Sequence, residues 1–165
     1  MSNNVINSEV VQEVAQIGQE KCAKNPASVF LLAILAGIFV SFGAQLATMV
    51  TSDLARYAGE GLSRFIGGAV FSIGLVLVII GGTELFTGNN LIFVSVIKGR
   101  ISLDKMLKNW LIVYAGNFVG ASVMVLLMFL TGLWMVSNYG PGINAVAIAN
   151  AKVDLSFWQA FTRGI

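Results

Sequence analysis

Gly81-Gly82-Thr83-Glu84-Leu85-Phe86-Thr87-Gly88-Asn89-Asn90 interrupts an apolar stretch, Phe65 to Ile97, in which Glu84 is the one charged residue. The stretch is 33 residues long. As one helix it would reach about 50 Å, too long for a single crossing of a hydrocarbon core of about 30 Å, while two crossings need about 40 residues. A helix that breaks inside the membrane fits better than either. Gly81 and Gly82 can end a helix, because a left-handed terminal residue costs glycine little. Thr83 or Thr87 can then cap the half-helix that follows. Open backbone at membrane depth persists only where protein or water satisfies it, and the N–H groups that start a half-helix suit an anion. Broken intramembrane helices mark permeation or substrate sites. The plainer alternative is a kinked bundle helix whose Glu84 ties down a loop.

Outward from the break, the spacing of charges sets the other spans. No charged residue lies between Asn25 and Ser52, which predicts a first transmembrane helix opened by Pro26 and closed at Asp53. Lys108 and Lys152 bracket another uncharged stretch, apolar from about Trp110 to Met135, which predicts a further span. Composition agrees: 56% of the 165 residues are hydrophobic and 11% charged, against roughly 25% charged in a soluble domain. The net charge of +2 leaves no polybasic tract for nucleic acid. Histidine is absent and Cys22 is the single cysteine, so a catalytic triad, a disulfide within the chain and a zinc cluster are excluded. The chain reads as an all-α membrane protein and not as an enzyme; no cofactor or metal is expected.

Residues 1–25 are too acidic for a secretory signal, with Glu9, Glu13 and Glu20 where an apolar core would be needed. Val10, Val14 and Ile17 recur at helical spacing, which predicts an amphipathic helix on the membrane surface, ahead of a channel domain over residues 26–165. Asn138 to Asp154, with Gly140-Pro141-Gly142, reads as an extended extramembrane connection, and another apolar run starts at Phe157. Lys21, Lys24, Lys98, Arg100, Lys105 and Lys108 fall on one side of the spans, and Arg56, Arg64, Lys152 and Arg163 on the other. That bias predicts a cytoplasmic N-terminus. Small residues predict close helix packing: Gly116 and Gly120 in the third span, Ala33, Gly37 and Ser41 in the first.

The run Gly82-Thr83-Glu84-Leu85-Phe86-Thr87-Gly88-Asn89 resembles the signature of the formate/nitrite transporter family. Phe71-Ser72-Ile73-Gly74-Leu75, Lys108-Asn109-Trp110, Gly116-Asn117-Phe118-Val119-Gly120, Lys152-Val153 and Arg163-Gly164-Ile165 extend the likeness. The resemblance implies an aquaporin-like helical bundle: two inverted repeats of three spans, the second and fifth helices broken, in a homopentamer with one pore per subunit. These residues would supply one repeat and the start of the next, about three spans with the second broken near 81–88. It implies a bacterial or archaeal cytoplasmic membrane and small monovalent anions as the permeant: formate first, then nitrite and hydrosulfide.

Carried over by position, Phe71 and Leu75 would line the pore from the first half of the broken helix. Leu85, Phe86 and Thr87 would form a constriction at the break, Thr87 offering its hydroxyl. Lys152 would attract anions toward a central chamber, and Gly81, Gly82, Glu84, Gly88 and Asn89 would support the loop. Each has a bland alternative: Phe71 and Leu75 as ordinary packing, Lys152 as a solvated loop charge. The family pore also needs a histidine in the fifth helix, an asparagine on the fourth and a late aromatic residue, none of which occurs here. The resemblance therefore predicts a portion of a longer chain that would not conduct selectively alone. Two other functions stay open: a neutral-solute pore, although Asn89-Asn90-Leu91 is not the Asn-Pro-Ala box of aquaporins, and a non-conducting structural subunit.

Overall fold

The computed structural model describes residues 2–164, with side chains from Ser8 onward. Ile165, which closes the last motif quoted above, lies outside the described residues. Every regular element among the described residues is a helix: α1 (Ser2–Ala23), α2 (Pro26–Thr51), α3 (Leu54–Ile80), α4 (Phe86–Asn89), α5 (Ile92–Ile97), α6 (Leu103–Thr131), α7 (Val136–Val153) and α8 (Phe157–Gly164), with a 3₁₀ turn at Leu133–Met135. Three of them, α2, α3 and α6, are long and apolar enough to cross a membrane.

Local chemistry sets the ends of these helices. Asn25 starts α2 by accepting the Ala27 N–H at 2.9 Å, and Pro26 occupies the first turn, where its missing N–H leaves nothing unpaired. Gly132, with φ +69°, ends α6. That helix begins at Leu103, earlier than the apolar stretch that announced it, because Asp104, Lys105 and Lys108 extend it as a charged first two turns.

α2 is the central helix, packed along both α3 and α6, while α1 lies against α5. The small residues set the α2–α6 approach. A Cβ on Gly116 would stand 2.5 Å from the Cβ of Ala33, and one on Gly120 would meet the Ile34 carbonyl. Gly43 and Gly74 play the same part between α2 and α3, facing the carbonyls of Phe71 and Phe39. The dry core is correspondingly small: Val29, Ala33 and Val113, with Phe86 and Ile112 packed against it. The outer face of α6 is apolar and open, with Leu111 70% and Leu130 71% exposed, a pattern that suits lipid rather than water.

One expectation is corrected. Residues 138–154 are not an extended connection but most of α7. Ser137, Asn138 and Tyr139, at φ of 51°, 56° and 65°, turn the chain in left-handed steps. Pro141 then falls in the first turn after that kink, where proline favours a helix start over a break. Asn144 secures the helix to the end of α2, its Nδ2 donating to the Thr48 carbonyl at 2.8 Å and the Thr51 hydroxyl at 3.0 Å.

Candidate functional site

α3 stops at the double glycine as its chemistry predicts. Gly82 adopts φ +57°; its N–H bonds the Ile79 carbonyl and the Thr83 N–H reaches back to the Val78 carbonyl, both at 3.2 Å. This paired closure satisfies carbonyls that a bare helix end would leave open. The Thr83 hydroxyl also donates to the Val78 carbonyl at 3.3 Å, so it serves the helix that ends and not the one that begins. Neither threonine caps α4: Leu85 precedes it with extended φ −102°, ψ 132° and no side-chain cap.

The cap comes from a neighbouring helix. Asn117 on α6 accepts the Phe86 N–H on its Oδ1 at 2.9 Å. Its Nδ2 donates to the Ala33 carbonyl at 2.8 Å and the Glu84 carbonyl at 3.0 Å. One amide therefore satisfies three backbone groups and ties the break to α2 and α6. The Glu84 N–H completes this on the Leu32 carbonyl at 3.4 Å.

Glu84 is 1% exposed, and such a carboxylate requires partners. Lys21 Nζ lies 2.5 Å from one oxygen and Lys24 Nζ 2.7 Å from the other. Lys21 also donates to Asn89 Oδ1 at 2.9 Å; Asn89 Nδ2 donates to Asn109 Oδ1, and Trp110 Nε1 donates to the Asn89 carbonyl, each at 2.9 Å. Two ammonium groups against one carboxylate leave a net positive charge beside the break.

Below the break lies an open cavity of about 550 Å³, walled by α1, the end of α3 and the loop. Leu75, Leu85 and Thr87 line it together, with Gly82, Glu84, Gly88 and Asn89 also on the wall. Lys21 and Lys24 join them. The Thr87 side chain is exposed and has no hydrogen-bond partner among the described residues. Phe71 stays higher on α3, half-buried and off this wall. Phe86 turns the other way, edge-on to Trp110 at 6.0 Å and Tyr114 at 5.6 Å, and anchors the loop to α6. Gly81 stacks on the end of α3 near the Phe39 ring. Lys152 is exposed in the last turn of α7 and lines no part of this cavity. Among the described residues no group of three metal-binding side chains occurs.

The main supports of the site were passed over in the sequence. Lys21 and Lys24 counted only toward orientation, and Asn109, Trp110 and Asn117 only as members of a pattern. The available signal was Glu84 itself, since a lone acid in an apolar stretch needs cations and the flanks of the neighbouring spans hold them.

The sequence profile of the formate/nitrite transporter family matches residues 8–165. The formate channel FocA of Escherichia coli strain K12 is 39% identical over 150 residues, which cover 91% of this chain and 52% of that protein. FocA of Haemophilus influenzae is 35% identical over 145 residues, 88% of this chain and 51% of that one. A solved structure described as a pentameric formate channel with formate bound superposes with a TM-score of 0.73 at 37% identity, over 82% of this chain and 53% of its own. The chain thus spans about half the length of the curated relatives it matches. A match over residues 8–165, nearly the whole chain, establishes that the chain belongs to the formate/nitrite transporter family.

Proposed function

We propose that these residues form the broken-helix wall of a membrane channel for small monovalent anions, with formate as the first substrate and nitrite and hydrosulfide next. The observation that carries this reading is the break. Its backbone is held open by Asn117 and its carboxylate is overbalanced by Lys21 and Lys24, so the cavity beside it is electropositive yet partly apolar. Such a site attracts an anion by field and admits it by size and hydroxyl contact. Leu75 and Leu85 form the apolar part of the passage and Thr87 offers the hydroxyl. Passage of a bare charge past leucines is costly, so a proton accompanies the anion through that part. The pentameric neighbour supports a homopentamer and the bacterial relatives a cytoplasmic membrane; the basic bias of Lys21, Lys24, Lys98, Arg100, Lys105 and Lys108 supports residues before Pro26 on the cytoplasmic side. Phe71 and Lys152 act farther along the path.

The test is uptake of formate, nitrite and hydrosulfide into proteoliposomes of the channel that contains these residues. Thr87→Val keeps the volume and removes the hydroxyl; it should change uptake or the order of preference among the three anions, with little loss of folding. Identical uptake of all three by parent and variant would remove Thr87 from the path.

A further inference from the structure

A second cavity, of about 230 Å³, lies on the opposite flank of the Lys21–Lys24 pair, between the end of α1, the start of α2 and the first turns of α6. Lys24, Lys105 and Lys108 line it, and Pro26 and the half-buried Ile112 contribute apolar surface above the buried Val29. Lys24 is already committed to Glu84. Lys105 and Lys108 are exposed and have no carboxylate within salt-bridge distance among the described residues. Their charge is surplus to the break.

Position decides what such a pocket takes. Pro26 opens the α2 span, and Lys105 and Lys108 come just before the long apolar part of α6 that begins at Trp110. The lysines therefore sit at the ends of two spans, at the level of lipid headgroups, with apolar side chains continuing toward the hydrocarbon. Basic pockets between membrane helices at this level select anionic headgroups. A free anion would use the lysines but leave the apolar surface of Pro26 and Ile112 idle; a glycerophospholipid uses both.

We propose that this cavity binds the phosphate headgroup of an anionic phospholipid, with Lys105 and Lys108 as its principal charges and the Pro26 and Ile112 side chains against the first atoms of its acyl chains. The site shares Lys21 and Lys24 with the cavity beside the break, but Lys105 and Lys108 line only this one, and its lipid binding does not rest on the anion path.

Cys22, the single cysteine, lines the same cavity and reports on its occupancy. The rate at which a neutral maleimide alkylates Cys22 is measured in nanodiscs of phosphatidylcholine alone and of phosphatidylcholine with phosphatidylglycerol. The anionic lipid should slow alkylation several-fold. Lys105→Gln/Lys108→Gln should lose that protection, while Lys105→Arg/Lys108→Arg, which keeps the charge, should retain it. Inorganic phosphate added to phosphatidylcholine discs should not protect. Equal rates for the parent in both bilayers would overturn the proposal, as would protection that persists in the glutamine pair, because bulk surface charge would then explain it. Protection by inorganic phosphate equal to that by the lipid would overturn the lipid assignment in favour of a free anion.

Discussion

Asn117→Ala tests the account of the break most directly. The substitution removes the acceptor of the Phe86 N–H and both donors to the Ala33 and Glu84 carbonyls. Side-chain hydrogen bonds between membrane helices contribute about 0.6 kcal/mol on average and up to about 1.7. Three of them give a loss of about 2–5 kcal/mol; the stranded Phe86 N–H and Glu84 carbonyl have no helical partner, whereas the Ala33 carbonyl keeps its bond within α2. Ser122→Ala, one turn further along α6, is the control. Its hydroxyl bonds only the Phe118 carbonyl of its own helix at 2.8 Å, so its removal should change stability by less than about 0.5 kcal/mol. Reversible unfolding of both variants in one detergent, followed by denaturant titration of the tryptophan signal, supplies the comparison. An Asn117→Ala protein as stable as Ser122→Ala would refute the claim that one amide holds the break, and the loop would have to be self-supporting.

Glycine substitutions on two helices should have opposite signs. Gly120→Ala drives a methyl into the Ile34 carbonyl and should destabilise by about 1–3 kcal/mol, whereas Gly68→Ala meets open space on α3 and should gain up to about 1 kcal/mol from helix propensity; thermal unfolding that ranks them equally would contradict the packing described. Burial pushes the Cys22 thiol above its usual range, with the nearby Lys105 charge pulling it back in part. Less thiolate is then present near neutrality, so alkylation in detergent should be slower than for free cysteine at pH 7 and climb with pH; a rate equal to that of the free amino acid at pH 7 would count against the buried thiol. A cysteine at Ser8, in a Cys22→Ala background, should resist an impermeant maleimide in intact cells and react after permeabilisation; strong labelling of intact cells would reverse the proposed topology.

Much of the fold was legible because lipid imposes a simple arithmetic. The gap in charge from Asn25 to Ser52 translates into α2 through the rise per residue; the stretch from Phe65 to Ile97 announces an interruption but not that α3 begins at Leu54 and is long enough to cross by itself. The double glycine named the place where α3 ends, and Gly116 with Gly120 named the face that meets α2. Partners of the break were not legible, because they are relations across about 20 to 70 positions and leave no local period. Asn117 is one polar residue in an apolar helix, and nothing adjacent to it announces that its amide fits an N–H on one side and two carbonyls on the other. Capping by Thr83 or Thr87 failed for a related reason: local chemistry offered a cap, and a tertiary contact supplied a better one. Residues 138–154 were misread because Gly140-Pro141-Gly142 was treated as a breaker, while proline within a first turn promotes helix.

The order in which the chain emerges gives the break a further consequence. Its supports lie on both sides of it in sequence: Lys21 and Lys24 come 63 and 60 residues before Glu84, and Asn117 follows Phe86 by 31. When α3 first enters the bilayer, the lysines are already made but α6 is not. The N–H of Phe86 and the carbonyl of Glu84 then have water or the insertion machinery as their only partners. The loop can become dry only after α6 has slid its Gly116–Gly120 face against α2 and brought Asn117 with it. Biogenesis is thus ordered by chemistry: the third span is the step that seals the second, and a polypeptide stalled before Asn117 would present a wet, charged hairpin to quality control.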